Sequence, residues 1–157
     1  MRNLIGLKET SAVEIDEILQ EAFRLKKEVL LGDKKASYLS GKRIITLFYE
    51  NSTRTRLSFE LASKYLGATA ANITASGSSV QKGESLADTI KTINAMAADV
   101  IIMRHPSSGA PYFAQKYADA AIVNAGDGMN EHPTQALLDM MTILETKGNI
   151  KGLRVAI

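Results

Sequence analysis

Short apolar runs alternate along this chain with longer stretches whose apolar residues return at helical spacing, and few folds accept that order. The runs at 43–49, 68–73, 99–103 and 121–124 read as strands. Between and after them the spacing predicts helices over about 54–66, 86–97, 111–118 and 133–147. Pro133 sits at the first turn of the last one and Gly148 just past its end. A longer helix opens the chain at Thr10 or Ser11. It carries Val13, Ile18, Leu19, Ala22 and Val29 on one pattern and ends near Gly32-Asp33. Strands separated by helical crossovers predict right-handed connections and a parallel sheet covered by helices on both faces, a three-layer α/β domain. The closing stretch Leu153-Arg154-Val155-Ala156-Ile157 reads as one more strand. The expectation is therefore a domain over 1–150, with 151–157 beginning the first strand of a second domain that the chain lacks.

Composition removes several classes of function. With 157 residues, 45% of them apolar, the chain fits one globular domain with a substantial core. Its 19 Lys and Arg against 17 Asp and Glu give no reason to expect nucleic acid. The absence of cysteine excludes disulfides, a thiolate nucleophile and cysteine-ligated zinc. With two histidines and no HExxH pattern, no metal site is expected. No secretory h-region is present, and no run approaches the roughly 20 apolar residues of a membrane span. A cytoplasmic protein without membrane contact is expected, which leaves the sequons at Asn51 and Asn72 without meaning.

In open α/β sheets ligands gather beyond the carboxyl ends of the strands, so the residues after each run are the candidates. The most telling is Ser52-Thr53-Arg54-Thr55-Arg56. It joins hydroxyls and two guanidinium groups at a strand-to-helix turn, where unpaired backbone amides and the positive end of the helix dipole favour an anion. Arg54 or Arg56 supplies a bidentate fork there, with a plain N-cap beside solvated arginines as the alternative. A Ser/Gly-rich loop containing Ser78, Ser79 and Lys82 follows the second strand. A lysine there either closes over an anion or is simply solvated. Arg104 ends the third strand, facing a cleft or a structural ion pair. His132 and Gln135 lie three apart across a helix start and share a face, to bind a carbonyl or to cap the helix. His105 is read as structural. Neither a P-loop nor a dinucleotide fingerprint is present, and no nucleophile is evident. The inventory favours positioning and charge stabilisation over covalent catalysis.

Taken together, Ser52 to Arg56, Lys82-Gly83-Glu84-Ser85-Leu86-Ala87-Asp88-Thr89, Met103-Arg104-His105-Pro106 and His132-Pro133-Thr134-Gln135-Ala136-Leu137-Leu138-Asp139 resemble the catalytic chains of the aspartate carbamoyltransferase family. The resemblance spans essentially the whole chain and matches the N-terminal, carbamoyl-phosphate-binding domain. It implies that Ser52, Thr53, Arg54 and Thr55 hold the phosphate of carbamoyl phosphate. Arg104 would bridge phosphate and carbonyl oxygen, His132 would polarise that carbonyl, and Gln135 would bind the carbamoyl amide. Lys82, with Ser78, would reach into a neighbouring subunit's site in a homotrimer. The implied reaction is attack of the L-aspartate amino group on the carbamoyl carbon, with phosphate leaving and no cofactor. Regulatory or dihydroorotase partner chains stay open. The alternatives are ornithine or another transcarbamoylase, and a non-catalytic phosphate-binding module. Because the resemblance implies an absent aspartate-binding half, the chain by itself is expected to be inactive.

Overall fold

The computed structural model describes residues 2–32, 36–74 and 84–156. Among the described residues five helices and four strands alternate: α1 (Ala12–Leu30), β1 (Arg43–Phe48), α2 (Thr53–Tyr65), β2 (Thr69–Thr74), α3 (Leu86–Ala95), β3 (Val100–His105), α4 (Ala110–Ala114), β4 (Ala121–Asp127) and α5 (Pro133–Lys147). The strands form one parallel sheet in the order β2-β1-β3-β4. This is the α/β architecture that the alternation of periods predicts.

Burial explains why the central strands read as continuous apolar runs. Strand β1 is buried from Ile44 to Phe48, and Ile101, Ile102 and Met103 of β3 are buried too, because helices cover both faces of a parallel sheet. On one face Ile45, Leu47, Ile101, Met103 and Ile122 pack with Ile90 and Ile93 of α3 and Ala110 and Ala114 of α4. On the other, Ile44, Phe48, Ile102 and Ala125 meet Phe59 of α2. Helix α5 lies against β4, and α1 lies against α5. Alternate residues of each strand thus feed two separate cores.

The two ends of the sheet differ. Strand β2 is the edge and is largely exposed. Strand β4 is buried almost throughout because the N-terminal segment covers its outer side. Leu4 forms a parallel bridge with Val123, donating to Ile122 O at 2.8 Å and accepting from Asn124 N at 2.9 Å. A single bridged residue has no periodicity, which is why nothing in the sequence marks it.

Two elements depart from the sequence reading. Leu153 to Ala156 makes no ladder among the described residues: the segment is exposed, and apolar composition alone makes no strand without a partner. Helix α4 stops at Ala114, its last turn passing into the turn Gln115–Tyr117. The other elements match the expected ranges closely, with β4 running three residues further, to Asp127.

The strand order sets where a site can form. The chain steps from β1 to one neighbour, β2, and then back across to the other, β3, so the crevice between the carboxyl ends of β1 and β3 is a topological switch point. Ile90 is wholly buried at the α3–sheet interface. Ile90→Ala is expected to cost about 2–5 kcal/mol in urea unfolding; a loss under about 1 kcal/mol would contradict this packing.

Candidate functional site

Helices α1 and α3 close their own N-termini. Ser11 Oγ accepts from Glu14 N at 3.3 Å while Glu14 Oε2 accepts from Ser11 N at 2.9 Å. Ser85 Oγ accepts from Asp88 N at 3.2 Å, and each helix places an acid in its first turn. Helices α2 and α5 begin open. The Ser52 side chain makes no cap bond and donates instead to Thr55 Oγ1 at 2.8 Å; His132, at the N-cap of α5, makes none either. Neither helix has an acid in its first turn. At α2 this leaves the amides of Thr53, Arg54 and Thr55 for water or an anion; at α5 Pro133 has no N–H and Gln135 N donates to His132 O at 3.0 Å, so among the described residues Thr134 supplies the open amide beside the dipole end.

Both open ends face one cleft of about 730 Å³ between α1, α2 and α5. Ser52, Arg54, Thr55, Arg104, His132 and Gln135 line it, so the structure brings six of the candidates from three strand ends into one place. Its other walls include the apolar Ile18, Ala22, Phe59, Leu138 and Met141. Arg54, not Arg56, is the guanidinium of α2 that lines the cleft; Arg56 lies near Glu60, whose carboxyl it helps to hold low. Thr53, the first residue of α2, is exposed and is not part of the cleft wall. Ser78 and Lys82 lie outside the described residues.

Arg104 is the pivot. Its Nη2 donates to Glu50 Oε1 at 2.8 Å and its Nη1 to Ala125 O at 3.2 Å, while its buried Nε has no partner among the described residues. Both readings of this arginine hold together, since it is ion-paired and also lines the cleft. A second cavity of about 280 Å³, walled by Glu50, Gly126 and Asn130, shares Arg104 and His132 with the first. The guanidinium fits because of a break in the ladder: from Met103 to His105 in β3 the partner strand runs from Asn124 to Asp127, one residue more. Gly126 lies in that bulge at φ +115°, and a Cβ there would stand 2.9 Å from Arg104 Nη1 and 3.3 Å from His132 Cδ2. Only glycine meets both demands.

The imidazole of His132 is held below the usual histidine range, first by burial and then by the Arg104 charge, with Asp139 opposing. It is neutral at pH 7, with Nδ1 3.3 Å from Thr134 Oγ1. A neutral ring can donate to a carbonyl oxygen, which suits polarisation without adding charge. Gln135 Nε2 donates to Asp139 Oδ1 at 2.9 Å on the exposed side. His105 takes the structural role expected of it, accepting from Ser107 N at 2.9 Å with its ring tilted against Tyr49. Among the described residues no cluster of His, Cys, Asp or Glu could hold a metal ion, and no helix is long and apolar enough to cross a membrane.

Sequence reasoning missed the supports beneath these groups. Asp127 is fully buried, and its carboxylate accepts from Asn124 Nδ2 (2.9 Å), Gly109 N (2.7 Å), Asn130 Nδ2 (3.0 Å) and Glu131 N (3.0 Å). Burial alone would raise its pKa, but these donors outweigh it and hold the carboxyl below its ordinary 3.8. Asp127 thereby ties the loop after β3 to the loop after β4. The only hint in the sequence is a polar strand end rich in Asn, Gly and Asp, which is not specific.

An α/β domain that gathers two open helix starts and an arginine at its switch point is built to bind a small anionic compound. The comparisons with known proteins narrow that class. Residues 2–145 match the family described as aspartate/ornithine carbamoyltransferase, carbamoyl-P binding domain, and the chain belongs to that family. Curated aspartate carbamoyltransferase catalytic subunits from Ruminiclostridium cellulolyticum and Acetivibrio thermocellus are 65% and 63% identical over 156 residues, which is 99% of this chain and 50% of theirs. Among solved structures, the catalytic subunit of the M. jannaschii enzyme aligns at TM-score 0.88 with 50% identity, covering 98% of this chain and 50% of that one. The Trypanosoma cruzi enzyme in complex with carbamoyl phosphate and aspartate aligns at TM-score 0.90 with 37% identity, covering 97% and 50%. The chain thus spans about half the length of these relatives.

The Asp127 network makes a prediction about pH. Because its folded pKa is depressed, its contribution is fully present above 3.8 and is lost as the pH falls through the lower folded value. Asp127→Ala should cost about 3 kcal/mol or more at pH 7, leaving four buried or part-buried donors unpaired. Urea unfolding of both chains against pH should bring the two stabilities together on acidification. A constant gap down to the lowest pH at which the chain folds would contradict the assignment.

Proposed function

We propose that this chain is the carbamoyl-phosphate-binding half of an aspartate carbamoyltransferase, which transfers the carbamoyl group of carbamoyl phosphate to L-aspartate in de novo pyrimidine biosynthesis. The observation that carries this reading is the meeting of the open ends of α2 and α5 around Arg104. The phosphate sits on the start of α2, held by Ser52, the backbone at Thr53, and Arg54. Thr55, Arg104 and His132 converge on the carbonyl oxygen, and Gln135 takes the amide. As the aspartate amino group attacks, the tetrahedral oxyanion gathers charge beside Arg104 and a neutral imidazole, and the leaving phosphate stays on the helix start. Binding phosphate displaces or supplements the Glu50 contact, for which the free Nε and the second cavity leave room.

Aspartate is preferred to ornithine as acceptor because the curated relatives and the T. cruzi structures carry that name, and one T. cruzi complex holds aspartate with carbamoyl phosphate. The acceptor would be bound by the half of the relatives that 1–150 does not supply, with 151–157 leading toward it. Lys82 and Ser78 would serve a neighbouring subunit in a cytoplasmic homotrimer, as the family resemblance implies. This chain alone is expected to bind carbamoyl phosphate and to transfer little of it. Calorimetry should show carbamoyl phosphate binding at one site, lost in Arg54→Ala without change in melting temperature. In the complete enzyme the same substitution should lower turnover by about 10²- to 10³-fold; near-normal turnover would contradict the reading.

A further inference from the structure

The N-terminal segment does more than cover the edge of β4. Beyond the Leu4 bridge, Asn3 Oδ1 accepts from Ile122 N at 2.8 Å and Asn124 Nδ2 donates to Ile5 O at 2.9 Å. The segment then reaches the loop that delivers His132. Leu7 N donates to Glu131 Oε2 at 2.9 Å, and the buried Gly6 lies flat against the same carboxylate. A Cβ on Gly6 would stand 2.6 Å from Glu131 Oε2 and 2.8 Å from Oε1, so an alanine there has to push the carboxylate end of that flexible side chain away. The backbone of Glu131 is pinned as well: its N–H donates to Asp127 Oδ1 at 3.0 Å and its carbonyl accepts from Asp127 N at 3.1 Å. The residue immediately before the N-cap of α5 is therefore fixed at its amide, its carbonyl and its side chain.

We infer that Glu131 is a positioning residue for His132, its carboxylate stapled to the backbone of the N-terminal segment across Gly6. The backbone pins at Asp127 set where the loop turns. The carboxylate staple sets the rotation of residue 131 about its own backbone, and hence the direction in which the next residue enters the cleft. Among the described residues the His132 side chain makes no cap bond and its one hydrogen-bond contact is with Thr134 at 3.3 Å, so beyond its packing beside Gly126 and Arg104 the ring depends on the direction its backbone gives it. Glu131 also borders the smaller cavity beside Arg104, so its displacement is felt on the wall shared by both cavities.

The inference rests on the anion-binding reading of the cleft for one of its readouts and is independent of it for the other. Inorganic phosphate binding to the full chain is measured by calorimetry, and the His132 Cε1–H resonance is followed by NMR against pH, with His105 as internal reference. Glu131→Ala and Gly6→Ala should each weaken phosphate about tenfold. Both should move the His132 resonance and its titration midpoint while those of His105 stay. Glu131→Gln, which keeps an acceptor oxygen for Leu7 N, should hold phosphate affinity within about twofold of the parent. The Gly6→Ala/Glu131→Ala pair should be no worse than Glu131→Ala alone, because the added methyl acts only through the carboxylate. An unchanged His132 signal in both single variants, with only the melting temperature lowered, would overturn the inference, as would additive losses in the pair. If the parent chain itself fails to bind phosphate, the anion reading falls, and the His132 resonance still decides the role of Glu131.

Discussion

The backbone amides of Thr53, Arg54 and Thr55 at the start of α2, and of Thr134 at the start of α5, have no partner in their own helices, and the rest of the site is arranged around that need. The same chain satisfies α1 with Ser11 and Glu14 and α3 with Ser85 and Asp88, so the capping chemistry is available to it. At α2 it places Arg54 and Arg56 in the first turn, and at α5 it places Pro133, which lacks an N–H, followed by Thr134 and Gln135. A helix end left uncapped sacrifices on the order of 1 kcal/mol of stability, and two such ends facing one cleft are a consistent departure from what α1 and α3 do. Preorganised donors of this kind need no rearrangement as charge develops, which is the condition for electrostatic stabilisation of a transition state.

Arg104 turns two helix starts into one pocket. It issues from the end of β3, between the starts of α2 and α5, and its direction is fixed by features of neighbouring strands. The extra residue in β4 and the bare Cα of Gly126 admit the guanidinium, the Ala125 carbonyl holds one nitrogen, and Glu50 holds another. Asp127, one residue beyond Gly126, carries its negative charge on four N–H donors and forms no ion pair among the described residues, so it binds the loops without occupying the Arg104 guanidinium. The same loop continues into Glu131 and His132, so the N-terminal segment, β4 and the start of α5 act as one support.

The parts of this structure that repeat were legible in the sequence. Short apolar runs and period-3.6 patterns placed the four strands and five helices of the described residues, and the rule that ligands gather at strand ends selected Ser52, Arg54, Thr55, Arg104, His132 and Gln135, all of which line the cleft. What escaped has no period. Leu4 pairs through a single bridge, Glu50 and Asp127 act through partners far away in sequence, and Gly6 matters only because Glu131 folds back onto it. The stretch from Leu153 has an alternating strand pattern and no neighbouring strand among the described residues, so it forms no ladder here. Thr53 shows a finer limit: a motif identifies a helix start, but which of its residues turn inward depends on how the helix is rotated against the sheet.

The central claim is that the starts of α2 and α5 form one anion site. An amide-resolved NMR titration of the chain with carbamoyl phosphate tests it directly. The account predicts that the backbone amides of Thr53, Arg54 and Thr55 and that of Thr134 shift together, along one saturation curve with a single dissociation constant. Shifts confined to one helix start, or two curves with different midpoints, would contradict it.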